Sequence, residues 1–242
     1  MIDPSQARGR SLFGGVLTPM VKALMISITA VYALELISLN WLNDARWIGA
    51  LWLMPADVVG RGWAWQILSY MWLHDPLSPW HIVLNLFGLY MFGGFLERRW
   101  GPWPFLRFFL ITGAVAGLTV VAVGWFYYPF NPTIGCSGGV LALVVAFGVI
   151  YADAPMLAFF VLPMRARTMV LLVLAGVLLD WVMNRQGISV AAHLGGMAAG
   201  LVLVKGWWRP SRWRRPRPPD DPRVVRFERK GSGGEGGGRW VN

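Results

Sequence analysis

Six stretches of this chain, at roughly 20–39, 80–96, 104–127, 137–152, 168–184 and 189–206, are apolar over close to the length needed to cross a membrane. A helix requires about 20 such residues to span a hydrocarbon layer of about 30 Å. Inside that layer every backbone N–H and C=O must be satisfied within the segment itself, so the runs are read as helices of an all-α membrane protein. Composition agrees: 56% of the residues are hydrophobic and 14% charged, where a soluble domain carries about a quarter charged. The single cysteine, Cys136, excludes an internal disulfide framework and a cysteine-based structural zinc site. Between the fourth and fifth runs, Met156 to Leu162 is apolar but short and bounded by Pro155 and Pro163. It is expected to be an interfacial segment rather than an extension of the fifth helix.

The formal charge of +10 invites a nucleic-acid reading until its distribution is examined. With six spans, nineteen of the 22 Lys and Arg fall on one side and only Arg46, Arg61 and Arg185 on the other. This is the positive-inside pattern, with both termini cytoplasmic. The basic tail with Arg212, Arg214, Arg215 and Arg217 is therefore expected to set topology and touch anionic lipid; no nucleic-acid partner is implied. The domain organisation is an N-terminal cytoplasmic segment 1–19, a membrane domain 20–206, and a flexible basic, Pro/Gly-rich cytoplasmic tail 207–242. The first run is too long for a cleaved leader and is followed by Asn40, Trp41, Leu42 and Asn43 without a small-residue cleavage site, so it is expected to remain. Glu35, one turn from its outer end, is expected to snorkel or pair rather than to act chemically. The external loop 40–79 carries Trp41, Trp47, Trp52, Trp63, Trp65 and Trp72, which suits a structure partly embedded at the outer headgroup boundary.

Polar residues inside such a protein need a reason. His81 and Asn85 lie four apart, on one face at the entry of the second helix. They serve either as helix-helix glue or as part of a site. The fourth helix begins at Gly135, Cys136, Ser137, Gly138 and Gly139, and about 15 apolar residues follow. At 1.5 Å per residue that covers only roughly 22 Å of the layer, so Ser137 should sit below the outer surface at the end of an inward-dipping loop. A serine among glycines is also a common helix cap. On the sixth helix His193, Gly196 and Gly200 share a face, and the two glycines form a small-xxx-small seam whose suitable partner is the Gly138, Gly139 start of the fourth helix. Close approach there would bring His193 to Ser137. His193 would then act as general base for attack by Ser137 on a carbonyl, with His81, Asn85 and the Ser137 amide stabilising the oxyanion. Asp153 lies roughly 24 Å from the serine along the helix. Asp180 is left with at most a supporting role, so a dyad is favoured over a triad.

These residues resemble the rhomboid family of intramembrane serine proteases. The resemblance spans residues 20–206 through HxxxN at His81–Asn85, GxSG at Gly135–Gly138 and AHxxGxxxG at Ala192–Gly200, with an ExxxG turn at Glu97–Gly101 and Trp65, Gln66 in place of a Trp-Arg pair. It implies a six-transmembrane-helix bundle with an embedded first external loop, and a Ser137 and His193 dyad. It also implies cleavage of peptide bonds in or near transmembrane segments of other membrane proteins, with no metal and no cofactor. His74 would be structural or support the site. Where the family usually has an aromatic four residues after the serine, this chain has Leu141. The fifth helix is expected to gate substrate entry. A bacterial inner membrane is the expected location; oligomeric state, substrate and pathway are not written in the sequence. The competing readings are a catalytically idle rhomboid-like binding or escort factor, and a metal protein using His74, His81 and His193. The latter lacks HExxH and any carboxylate at ligand spacing, and an aspartyl protease would need a GxGD that does not occur.

Overall fold

The computed structural model describes residues 17–158, 162–184 and 187–206. Most of the expected segment 1–19, with Arg8 and Arg10, lies outside the described residues, as do Arg185 and the whole tail 207–242. Five helices are long and apolar enough to cross a membrane. They are α1 (Pro19–Leu42), α5 (Pro79–Trp100), α6 (Pro102–Tyr127), α8 (Ala166–Asn184) and α9 (Gly187–Lys205). A shorter apolar helix, α7 (Ser137–Ile150), has 14 residues, about 21 Å at the standard rise. Three short helices, α2 (Arg46–Leu51), α3 (Pro55–Arg61) and α4 (Gln66–Ser69), occupy the loop between α1 and α5.

The structure adds a feature that an all-α reading omits. The segment after α7 forms an antiparallel pair, β1 (Pro155–Ala158) and β2 (Leu162–Arg165), with Met156 opposite Met164 and Leu157 opposite Pro163. Proline supplies no ladder donor and is tolerated on edge strands. Here Pro163 stands in β2 opposite Leu157, and Met156 and Ala158 pair with Met164 and Leu162. Asp153 beside the hairpin reaches Arg165 at 3.5 Å and Arg167 at 3.4 Å, at the far end of α7 from Ser137.

Helix α7 is buried on nearly every side, from Gly138 to Gly148, as expected for a helix that is apolar all round. Its tightest neighbour is α9. A methyl group on Gly196 would run into the carbonyl oxygen of Gly138, and one on Gly200 would lie 2.9 Å from Cα of Ala142. Bare backbone on both sides permits this approach. Against the opposite side, Val140 fills the space beside Gly88 of α5.

The start of α1 is closed by a residue distant in sequence. Glu97, 4% exposed near the end of α5, accepts hydrogen bonds from the Thr18 hydroxyl, from the Met20 amide at 3.0 Å and from the Val21 amide at 2.9 Å. The two amides are among those that a helix start leaves without partners, and a carboxylate suits the positive end of the helix dipole. Gly101, at φ 87°, then reverses the chain into α6 and returns its N–H to the Glu97 carbonyl at 2.8 Å, which gives the ExxxG pattern its physical content. Glu97→Ala is expected to cost about 2–3 kcal/mol, because it removes a charged acceptor and strands buried donors. Glu97→Gln should recover part of the loss, and thermal unfolding of the purified protein measures both.

The loop helices dock on α6 through another small-residue face. Space at Gly113 is filled by Met71, and a methyl on Gly117 would lie 3.0 Å from the Ile67 carbonyl. The Tyr70 hydroxyl donates to the Gly113 carbonyl at 2.8 Å. Within the loop, buried Gln66 accepts from the Met54 amide at 3.1 Å, and the Trp65 indole donates to the Ala50 carbonyl at 2.9 Å. The Trp65, Gln66 pair thus ties the loop to itself.

Candidate active site

Ser137 is the first residue of α7, and the turn before it needs a particular backbone. Gly135 has φ 105°, a region that side chains rarely adopt. Its N–H donates to the Tyr70 carbonyl at 2.9 Å, while Thr133 and Leu53 exchange hydrogen bonds at 2.9 and 3.0 Å as an isolated antiparallel bridge. Farther back, the Ala56 amide donates to the Pro129 carbonyl at 2.9 Å. The loop between α1 and α5 therefore holds the segment that leads into Ser137. Spacing in the sequence does not reveal these bonds, although the Gly113, Gly117 pair on α6 carries the signal that something packs closely there.

The seam between α7 and α9 brings Oγ of Ser137 to 2.8 Å from Nε2 of His193, although the two residues are 56 positions apart. Both are half-buried. His81 and Asn85 approach the same place from α5. A methyl on Gly135 would lie 2.5 Å from Nε2 of His81 and 3.8 Å from Nδ2 of Asn85, so both nitrogens face the turn just before Ser137. Asn85 is 4% exposed, and its amide donates to the His81 carbonyl at 2.9 Å. One N–H of that group remains for a further acceptor. The first amides of α7 have no partner within their own helix. A hydroxyl beside an imidazole nitrogen, with amide and imidazole donors converging next to it, is the constellation for nucleophilic attack on a carbonyl and stabilisation of the oxyanion.

His74 lies behind this group. It is fully buried, its ring packs on His81 with centroids 5.0 Å apart, and its Nε2 is 3.8 Å from Sγ of Cys136. Burial and the neighbouring His81 push its pKa down to about 4, so the ring is neutral at pH 7. Its backbone N–H donates to Oε2 of Glu35 at 3.1 Å. Glu35 is 1% exposed; it is paired, as one of the sequence-based expectations had it, and it does not snorkel. Leu141 packs into a cluster with Val145, Val177, Val190 and Met197 between α7, α8 and α9. Asp153 stands at the opposite end of α7, and Asp180 in the last turns of α8. Among the described residues no three His, Cys, Asp or Glu side chains are grouped as metal ligands would be.

A sequence model of the Rhomboid domain matches residues 61–209. Among curated proteins, the chain is similar to Rhomboid protease GlpG of Haemophilus influenzae, with 29% identity over 140 residues, covering 57% of this chain and 67% of that protein. It is also similar to two Arabidopsis thaliana proteins. RHOMBOID-like protein 12, mitochondrial, is 27% identical over 137 residues, covering 50% of this chain and 40% of its own length. RHOMBOID-like protein 6, mitochondrial, is 29% identical over 149 residues, covering 57% and 42%. The chain thus spans about two fifths of the length of these two plant relatives.

Proposed function

The chain belongs to the rhomboid family, and on that premise we propose that it is an intramembrane serine endopeptidase that hydrolyses peptide bonds in or near the transmembrane segments of other membrane proteins. The observation that carries this reading is the 2.8 Å contact between Oγ of Ser137 and Nε2 of His193, made beside two converging donors. His193 takes the hydroxyl proton as Ser137 attacks, and returns it to the leaving amine. His81, Asn85 and the Ser137 amide hold the oxyanion. A substrate helix must open locally before its carbonyl can be reached, which favours segments with Gly, Pro or small polar residues.

In this reading α7 is a sixth, shortened span, the membrane domain covers 20–206, and the external loop rests in the outer leaflet. Charge supports the orientation. At the end where α1, α6 and α8 begin, Lys22, Arg98, Arg99, Arg107, Arg165, Arg167 and Lys205 stand against Glu97 and Asp153 among the described residues. The end that holds Ser137 carries Arg46 and Arg61 against Glu35, Asp44, Asp57, Asp75 and Asp180. By the positive-inside rule the first end is cytoplasmic and the site opens outward. A bacterial inner membrane with cytoplasmic termini is the proposed setting. Of the five long helices, α8 packs least, with 11% of its apolar window buried, which favours it as the element that moves for substrate entry.

The second reading, an idle rhomboid-like binder, rests on Leu141 standing where an aromatic is usual, and the retained Ser137, His193, His81, Asn85 and glycine motifs argue against it. A serine-reactive fluorophosphonate separates the two: labelling of the wild type that is lost in Ser137→Ala supports the enzyme, and no labelling of the folded protein supports the binder. Asn85→Ala is expected to lower kcat by about 10²–10³-fold, the usual effect of losing one oxyanion donor, with KM for a reporter substrate little changed.

A further inference from the structure

Glu35 is a carboxyl group buried among apolar helices, where an ionisable side chain is expensive unless something holds it. Its carboxylate accepts the backbone N–H of His74 at 3.1 Å. The next amide along the chain, that of Asp75, donates to Nδ1 of His81 at 3.3 Å. A ring nitrogen that accepts a hydrogen bond carries no proton, so the proton of neutral His81 sits on Nε2. Nε2 is the atom that faces Gly135 and the turn into Ser137.

The His74 ring completes the arrangement. Its Nδ1 lies 3.3 Å from the Trp72 carbonyl, which only accepts, so Nδ1 carries the proton and Nε2 is left to accept from the Cys136 thiol at 3.8 Å. The dipeptide His74–Asp75 therefore touches His81 on α5 and Cys136, the residue before Ser137, while α1 holds it through one carboxylate.

We propose that Glu35 is a positioning residue: by holding the His74–Asp75 backbone it fixes His81 as the Nε2–H tautomer aimed at the turn before Ser137, and so presents a ready hydrogen-bond donor to the oxyanion. The inference rests on the serine-protease reading for its consequence in rate, but not for the tautomer itself.

The test uses the 242-residue chain with Glu35→Gln, which keeps an acceptor oxygen, and Glu35→Leu, which fills similar space without one. Misaiming a donor should cost somewhat less than deleting it, so Glu35→Leu is expected to lower kcat by roughly 10–100-fold with KM nearly unchanged. Glu35→Gln should stay within about 3-fold of wild type, because the hydrogen bond to the His74 amide survives. In a His81→Phe background Glu35→Leu should add no further loss, since both changes act through one donor. Histidine ¹⁵N spectra, assigned by the signals that His81→Phe removes, should place the His81 proton on Nε2 in the wild type and in Glu35→Gln, and give a mixture in Glu35→Leu. A purely structural role would lower the amount of folded protein while leaving kcat per folded molecule and the His81 tautomer as in the wild type; that result overturns the proposal, as do independent losses in the double variant. Absence of Ser137-dependent cleavage in the wild type would instead overturn the protease reading, and the spectra, which need no turnover, would still decide the positioning.

Discussion

Ser137→Ala and His193→Ala are each expected to abolish cleavage of a membrane-spanning reporter, with a fall of at least about 10⁴-fold, while the folded protein still accumulates. The size follows from the division of labour proposed for the pair. An alanine at 137 leaves no nucleophile, and one at 193 leaves a hydroxyl whose proton has nowhere to go at neutral pH. Members of such a unit are not additive, so the double variant should be no worse than the more severe single one. Neither side chain is large or central to the packing: both are half-buried, and the α7–α9 seam is made by Gly138, Gly196, Gly200 and Ala142. Stability should therefore change little. Electrophoresis of reporter fragments, with a matched unfolding curve, measures both quantities. Turnover near the wild-type rate in either variant would remove the dyad.

Gly196→Ala should be nearly as damaging for a different reason. The added methyl is directed at the Gly138 carbonyl oxygen, which is backbone near the start of a buried helix and cannot swing aside as a side-chain end can. To make room α9 must move away from α7 or rotate, and the Ser137 to His193 contact of 2.8 Å spans that same seam. Overpacking of this kind costs typically 1–3 kcal/mol, and a displacement near 1 Å at a reacting pair costs about 10²-fold in rate. The expected result is a protein that still folds, melts earlier, and turns over about 10²-fold more slowly with KM little affected. Gly195→Ala is an informative companion, because its methyl would meet the Thr119 side chain on α6 instead of the α7 backbone. An unchanged rate in Gly196→Ala would mean that the seam does not set the geometry of the pair.

How much could be read without coordinates depended on the range of the interaction. The apolar runs appear at the expected places within a few residues, five as helices of spanning length and the fourth as the short α7. His81 and Asn85 meet the turn before Ser137, as residues one helical turn apart can. The glycine seam was readable because only backbone contact explains why His193, Gly196 and Gly200 share a face. The antiparallel pair β1–β2 was not readable as strands: its apolar run is too short to show a period, and only the pairing of the two segments defines it. Nor was the role of Glu35, since an acid near a helix end has the same sequence signature whether it reaches water or a buried amide. Likewise the bond between the Gly135 amide and the Tyr70 carbonyl joins segments far apart in the chain, which no local spacing reveals.

The sequence by itself determined which segments become helices, because that follows from the local cost of placing polar backbone in hydrocarbon. Only the tertiary structure decided which side chains meet. A hydroxyl and an imidazole 56 residues apart, a carboxylate on the first helix and an amide 39 residues later, come together through close packing of glycine surfaces, and that packing depends on the shapes of several helices at once.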